Sequence, residues 1–394
     1  MSPSPLHRST GRRLHRLAAL ALAVTVVAAC GSDDDDAAVA APAAAAVATN
    51  APVPAAVSAA ADNAGAGEGT ATATDPVSPA TPPATTAAPI DLSGVKLRVG
   101  DQGQLLEQPL RLSGELDDVP YDIEFATFAS GPLVNEAFGA GVIDIGTLGD
   151  TPALLSFAQG LETVVVGIRS SDGLAMTLVA SPESGIETLA DIAGKRVAWT
   201  TGSNQHGFVL RALDSVGLGQ NDVDQVDVPL VDVVNVLSAG SADVAVAYEV
   251  FRPAYLAEHP GAAELAKVND FTESYNYLLA LRPVLDDPAK AAAVEDFVGR
   301  LVRATAWVEE HPDEWIQKYY VEIQKQTPEA GRVAYEAQGE SRWVEIAGGD
   351  AQASQQKQAD LFHAAGLLPD PVDVSPQYDP ALTDRFTQAA LDAG

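Results

Sequence analysis

Two short stretches of this chain read as copies of one another. AGVIDIGTLGD at 140–150 and AGSADVAVAYE at 239–249 align without a gap, with Gly141 on Gly240 and Asp144 on Asp243. Each follows a run with helical spacing (VNEAF, VNVLS) and leads directly into an apolar strand. A helix that ends on glycine uses the left-handed backbone that glycine tolerates. The aspartate three residues on then stands at the strand's entry, where its charge is expected to stay in water. A helix, glycine turn and strand repeated in this way call for two similar α/β lobes.

The surrounding pattern agrees. VKLRVG (95–100), YDIEFATF (121–128), GVIDIGTL (141–148), ETVVVGI (162–168), KRVAWT (195–200), QVDVPL (225–230) and ADVAVAYE (242–249) are short apolar runs separated by helical stretches. Such alternation predicts an α/β fold with largely parallel sheets. From about residue 274 the chain is expected to be helical. Asp286 or Asp287 would cap a long helix with Pro288 just inside it, and Trp307, Trp315, Tyr319 and Tyr320 would serve as packing residues. Ligands of open α/β sheets bind outside the carboxyl ends of the strands. The repeat therefore sets Gly149-Asp150 and Tyr248-Glu249 on opposite lips of one cleft.

The first quarter of the chain follows different rules. Arg8, Arg12, Arg13 and Arg16 precede an apolar run over 17–27, and VAAC closes it at Cys30, the one cysteine present. This is a secretory leader over 1–29, its apolar run too short to span a bilayer. With one cysteine no internal disulfide can form. Residues 30–90, rich in Ala, Pro and Thr, show no apolar periodicity and read as a tether. The formal charge of −31 becomes about −35 once the four leader arginines are removed, which argues against nucleic acid as a partner.

Three segments share one local design. Ser130-Gly131-Pro132, Asp150-Thr151-Pro152 and Gly202-Ser203 each stand between an apolar strand and a helix. First-turn N–H groups have no partner within a helix and carry the positive end of its dipole, so each start is a potential anion site. Arg169 and Arg252 are possible basic helpers, and His206 falls in the first turn after Ser203.

GPLVNEAFGAGVIDIGTLGDTPALLSFAQG, LADIAGKRVAWTTGSNQHGFVLRAL and the C-terminal QQKQADLFHAAGLLPDPVDV resemble the substrate-binding proteins of aliphatic sulfonate ABC importers, a family with taurine, nitrate and thiamine-pyrimidine-precursor binders. VAAC similarly resembles a lipobox, which implies lipidation at Cys30. The resemblance covers roughly residues 95–375. It implies a two-lobed periplasmic-binding-protein fold of the Venus-flytrap type, with 91–180 and 275–394 as one lobe, 181–274 as the other, and hinges near 179–181 and 272–276. By position it implies a ligand shell of Gln102, Ser130, Gly131, Asp150, Thr151, Ser203, Asn204, His206 and Tyr248, with Pro132, Gly149, Gly202 and Glu249 beside them. The family's YTGDTP is TLGDTP here and its WDP is YEV, so the ligand's tail meets different side chains. Implied partners are a small oxyanion, most simply an alkanesulfonate, an ABC permease with its ATPase, and the outer face of the cytoplasmic membrane. The receptor would act as a monomer.

Other classes fit less well. No GxSxG, HExxH or Walker loop appears, and the six histidines show no metal-ligand spacing, so no catalytic residue, metal or cofactor is expected. A structural envelope lipoprotein would need no cleft.

Overall fold

In the computed structural model, residues 90–173, 176–249 and 251–393 are described. The leader, Cys30 and the tether up to residue 89 lie outside them.

Two sheets organise the chain. The first contains β1 (Lys96–Gln102), β2 (Asp122–Phe128), β3 (Ile145–Gly149), β4 (Thr163–Ser171), β10 (Ser274–Leu281) and β11 (Ser341–Trp343), in the order β11-β4-β10-β3-β1-β2. The second contains β5 (Met176–Ala180), β6 (Arg196–Trp199), β7 (Asp224–Asp227), β8 (Val244–Tyr248) and β9 (Ala263–Lys267), in the order β7-β6-β8-β5-β9. Six of the seven expected strands form the parallel trios β2-β1-β3 and β7-β6-β8, and the seventh, β4, has antiparallel neighbours alone. The sheets are nevertheless mixed rather than largely parallel. β10 runs antiparallel between β3 and β4, β11 pairs antiparallel with β4, and β5 runs antiparallel between β8 and β9.

Two expectations are corrected by this topology. SYNYLLAL at 274–281 is a strand, not the start of the helical region. MTLVA at 176–180 belongs to the second sheet, so the chain leaves the first lobe after Ser171, earlier than 179–181. The return lies between Lys267 and Ser274. A strand that carries the chain between lobes lacks the flanking helix that marks a parallel βα unit, and so lacks its sequence signal.

The repeat is the same clamp built twice. Arg98 at the start of β1 donates from its backbone N–H (2.9 Å), Nε (2.9 Å) and Nη2 (2.7 Å) to Asp144, and from Nη1 to the Gly141 carbonyl (2.6 Å). Arg196 at the start of β6 donates in the same way to Asp243 (2.9, 3.2 and 2.6 Å) and to the Gly240 carbonyl (2.9 Å). Gly141 and Gly240 have φ of +63° and +69°, as a helix ending on glycine requires. Asp144 does not stay in water: it is 1% exposed. Burial works against its charge, but Arg98 and Lys290 hold its carboxyl below the usual range.

Each sheet is covered on both faces, which explains the continuous apolar runs. In β8, Val244 and Val246 pack with Val197, Trp199 and Phe208 on one side, whereas Ala245 and Ala247 meet Val233 and Leu237 on the other. The first lobe buries Leu97, Val99, Ile145, Leu148 and Val165 against helices that include Pro288–Glu310, capped by Asp287 as expected.

Candidate functional site

The helix Asn204–Ser215 of the second lobe packs on the helices Asp150–Ala158 and Asp350–Ala364 of the first. Leu210 joins Phe362 and Leu368 in one apolar cluster. Arg211 Nη1 donates to Asp150 Oδ2 at 2.7 Å, both side chains largely buried. Two glycines permit this approach. A Cβ on Gly207 would lie 2.2 Å from Thr151 Oγ1, and one on Gly149 would lie 1.8 Å from Asn204 Nδ2.

Beside this contact is a cavity of ≈ 430 Å³. It opens at the carboxyl ends of β1, β3 and β4, where Gln102, Thr147, Gly149 and Arg169 line it. Asn204, Tyr248 and Glu249 close it from the second lobe. It continues into the first lobe between β4, β10 and β11 and the segment 301–337.

The expected site residues divide. Gln102, Gly149, Asn204, Tyr248 and Glu249 reach the cavity. The Asn204 amide and the Tyr248 hydroxyl have no partner among the described residues, and burial first, then the Asp150 charge, pushes the Tyr248 hydroxyl pKa up. Gln102 ties two strand ends by donating from Nε2 to the Thr147 carbonyl (2.9 Å). Glu249 lines the wall with its charge already matched by Arg252, which donates to both its oxygens at 2.7 Å.

The other eight, Ser130, Gly131, Pro132, Asp150, Thr151, Gly202, Ser203 and His206, do not line it. The helix starts come together but fill the space between them: a Cβ on Gly131 would meet Pro152 at 2.5 Å, and one on Gly202 would stand 3.7 Å from Pro132. Their polar groups serve one another. Asp150 Oδ1 accepts from the Thr151 N–H (2.6 Å), and Thr151 Oγ1, fully buried, accepts from Gln358 Nε2 (2.7 Å). Ser203 Oγ donates to the Thr200 carbonyl (2.8 Å) and accepts from the Gln205 N–H (3.2 Å). His206 Nδ1 accepts from the Gly202 N–H (3.2 Å), so its proton is on Nε2, donated to Gln220 Oε1 (2.9 Å). Burial pushes its pKa down, and it lies between Trp199 and Phe362 as a neutral, structural imidazole.

Sequence reading missed the far wall. Asn276, Trp315, Tyr320, Ser341 and Trp343 line the cavity from elements beyond residue 273. Arg169, named from the sequence as a possible basic helper, faces it with Nη2 donating to Ser341 Oγ and Glu309 at 3.6 Å. The one available signal was its place at a strand's carboxyl end. Among the described residues no histidine, cysteine and carboxylate group is arranged to hold a metal ion.

Two α/β lobes, joined by two chain crossings and enclosing a cavity at their strands' carboxyl ends, define a periplasmic-binding-protein fold. The NMT1/THI5-like family model matches residues 122–315 of this chain. An aliphatic sulfonates-binding protein of Escherichia coli (strain K12) is 27% identical over 296 residues, 74% of this chain and 91% of that relative. Two solved structures share the fold, each at 25% identity and a TM-score of 0.63 over 72% of this chain. They are the periplasmic aliphatic sulphonate binding protein SsuA from Escherichia coli, 91% covered, and the alkanesulfonate-binding protein SsuA from Xanthomonas axonopodis pv. citri bound to MOPS, 98% covered.

Proposed function

We propose that this protein is the extracytoplasmic solute-binding component of an ABC importer, lipid-anchored through Cys30, and that it captures an anion of the sulfonate class. The observation that carries the reading is the cavity itself. It is lined from both lobes, by Gln102 and Gly149 on one side and Asn204 and Tyr248 on the other, and the half-buried cation on its wall is Arg169. A ligand touching both lobes favours the arrangement in which they meet, through its differential affinity for that state. The relatives described as sulfonate binders support the choice of anion. Capture and release, rather than turnover, is the proposed role.

Thermal unfolding of the chain against ethane- and butanesulfonate, taurine, nitrate, sulfate and a hydroxymethylpyrimidine tests this. At about a thousand-fold excess over Kd a specific ligand adds roughly 4 kcal/mol. Stabilisation by a sulfonate alone supports the reading. Stabilisation only by the pyrimidine, or by none of the panel, rejects it. Loss of fatty-acid labelling in Cys30→Ser tests the anchor.

A further inference from the structure

The cavity as a whole, ≈ 430 Å³, is larger than a short alkanesulfonate requires, and its first-lobe wall is largely apolar. Four residues cross the sheet side by side at its rim. Trp343 pairs with Arg169, Arg169 with Asn276, and Asn276 with Gly149. Directly opposed residues on antiparallel strands share a face, and all four line the cavity.

Arg169 is incompletely matched there. Nη2 meets Ser341 and Glu309, whereas Nε and Nη1 have no acceptor among the described residues. The Asn276 amide beside it is equally uncommitted and exposed. Burial disfavours the guanidinium charge, which Glu309 offsets from the Nη2 side alone, and Nε and Nη1 are left to meet the oxygens of an incoming anion. Beyond the row the wall is aromatic and aliphatic. Trp343 Nε1 is fixed by donation to Thr305 Oγ1 (2.9 Å), and its ring occupies the space left open by Gly167. Leu301, Val308, Trp315 and Tyr320 complete the wall, with Ala334 and Ala337 too short to fill it.

We infer that Arg169 and Asn276 anchor the anionic head, and that the first-lobe chamber takes a ring-sized apolar body, making ring-bearing sulfonates the preferred ligands. This rests on the reading of the cavity as an anion receptor. In ≈ 430 Å³ a two-carbon sulfonate leaves most of the volume to water, whereas a fused aromatic ring displaces that water onto apolar walls.

The test compares 2-naphthalenesulfonate, ethanesulfonate and neutral 2-naphthalenemethanol on the full chain, read by tryptophan fluorescence from Trp315 and Trp343 and by calorimetry. The ring-bearing sulfonate is expected to bind at least about ten-fold tighter than ethanesulfonate, and the alcohol not to bind. Arg169→Met should weaken both sulfonates at least about ten-fold, with Arg169→Lys intermediate because it keeps charge but not the fork. Ala337→Phe, which fills the chamber without touching the anchor, should weaken only the ring-bearing ligand. Equal affinity for the two sulfonates, or affinity unmoved by Arg169→Met, overturns the inference while leaving the anion reading intact. No binding of either sulfonate removes both.

Discussion

Gly149 offers a direct test of how the lobes meet. Its backbone (φ −73°, ψ −179°) is extended and suits any residue, so alanine there carries no backbone strain. The three atoms nearest its added methyl would all belong to the Asn204 side chain of the other lobe, with Nδ2 at 1.8 Å, Oδ1 at 2.3 Å and Cγ at 2.4 Å. No relaxation of the methyl alone accommodates three such contacts, so the Asn204 amide must turn away or the lobes must separate. Forced overpacking of this kind costs about 1–3 kcal/mol. Asn204→Ala removes the three clashing atoms and should relieve that cost. Urea unfolding of Gly149→Ala, Asn204→Ala and the double variant forms a cycle whose expected coupling is therefore about 1–3 kcal/mol. The single Gly149→Ala should be the least stable of the three. Coupling within about 0.5 kcal/mol of zero, the level at which distant sites simply add, would mean that the Asn204 amide turns aside freely, and would refute the reading of this contact as a tight one between the lobes.

Two further expectations concern charge. Asp101, fully buried, caps the helix Glu107–Leu112 through the Leu106 and Glu107 N–H groups, yet burial raises its pKa to about 6. Because the folded value lies above the unfolded one, its contribution to stability is fully present below about pH 4 and is lost as pH rises through about 6. Asp101→Asn should remove that dependence, so the melting-temperature difference between variant and parent should grow in the variant's favour over pH 4 to 6.5; a difference constant with pH refutes it. Arg98→Met should destabilise more than Arg196→Met in the same denaturation assay. Asp144 is left buried and short of a partner, with Lys290 alone remaining, at a cost of about 2 kcal/mol or more, whereas the Arg196–Asp243 pair is more exposed, its side chains 44% and 21% accessible, and solvent screens most of its contribution. Equal losses would show that burial does not separate the two clamps.

The repeat was legible because glycine and aspartate are each forced by local geometry: a left-handed turn and a strand entry that must neutralise Arg98 or Arg196. Those arginines escaped notice because an arginine at a strand's start looks like any surface residue. MTLVA and SYNYLLAL were missed for a related reason, since a short apolar run carries little signal without a helix beside it. The site was legible only in part. TLGDTP and TTGSNQH do sit at the lobe contact, but first-turn polar residues that look free in sequence are spent capping one another. The chamber's wall is invisible to local reading. Arg169, Asn276 and Trp343 are brought into one row by strand pairing alone, across more than 170 residues of chain.

The crossing that follows β4 is not a free linker. Asp172 N–H donates to the Glu340 carbonyl (3.2 Å), and its carboxylate accepts from the Glu340 N–H (2.8 Å). Asn269, on the return crossing, donates from Nδ2 to the Asp172 carbonyl (2.8 Å). Gly173 lies so close to the Gln338 carbonyl that a Cβ would stand 2.0 Å from it. The two crossings are therefore tied to each other, and a relative motion of the lobes is expected to turn about them as one pivot rather than two independent straps. That pivot is fastened to the 338–341 segment, whose Gln338 and Ser341 also line the chamber. The floor of the pocket and the brace of the crossings are thus one piece of backbone, so an occupant of the chamber is expected to bear on the brace directly.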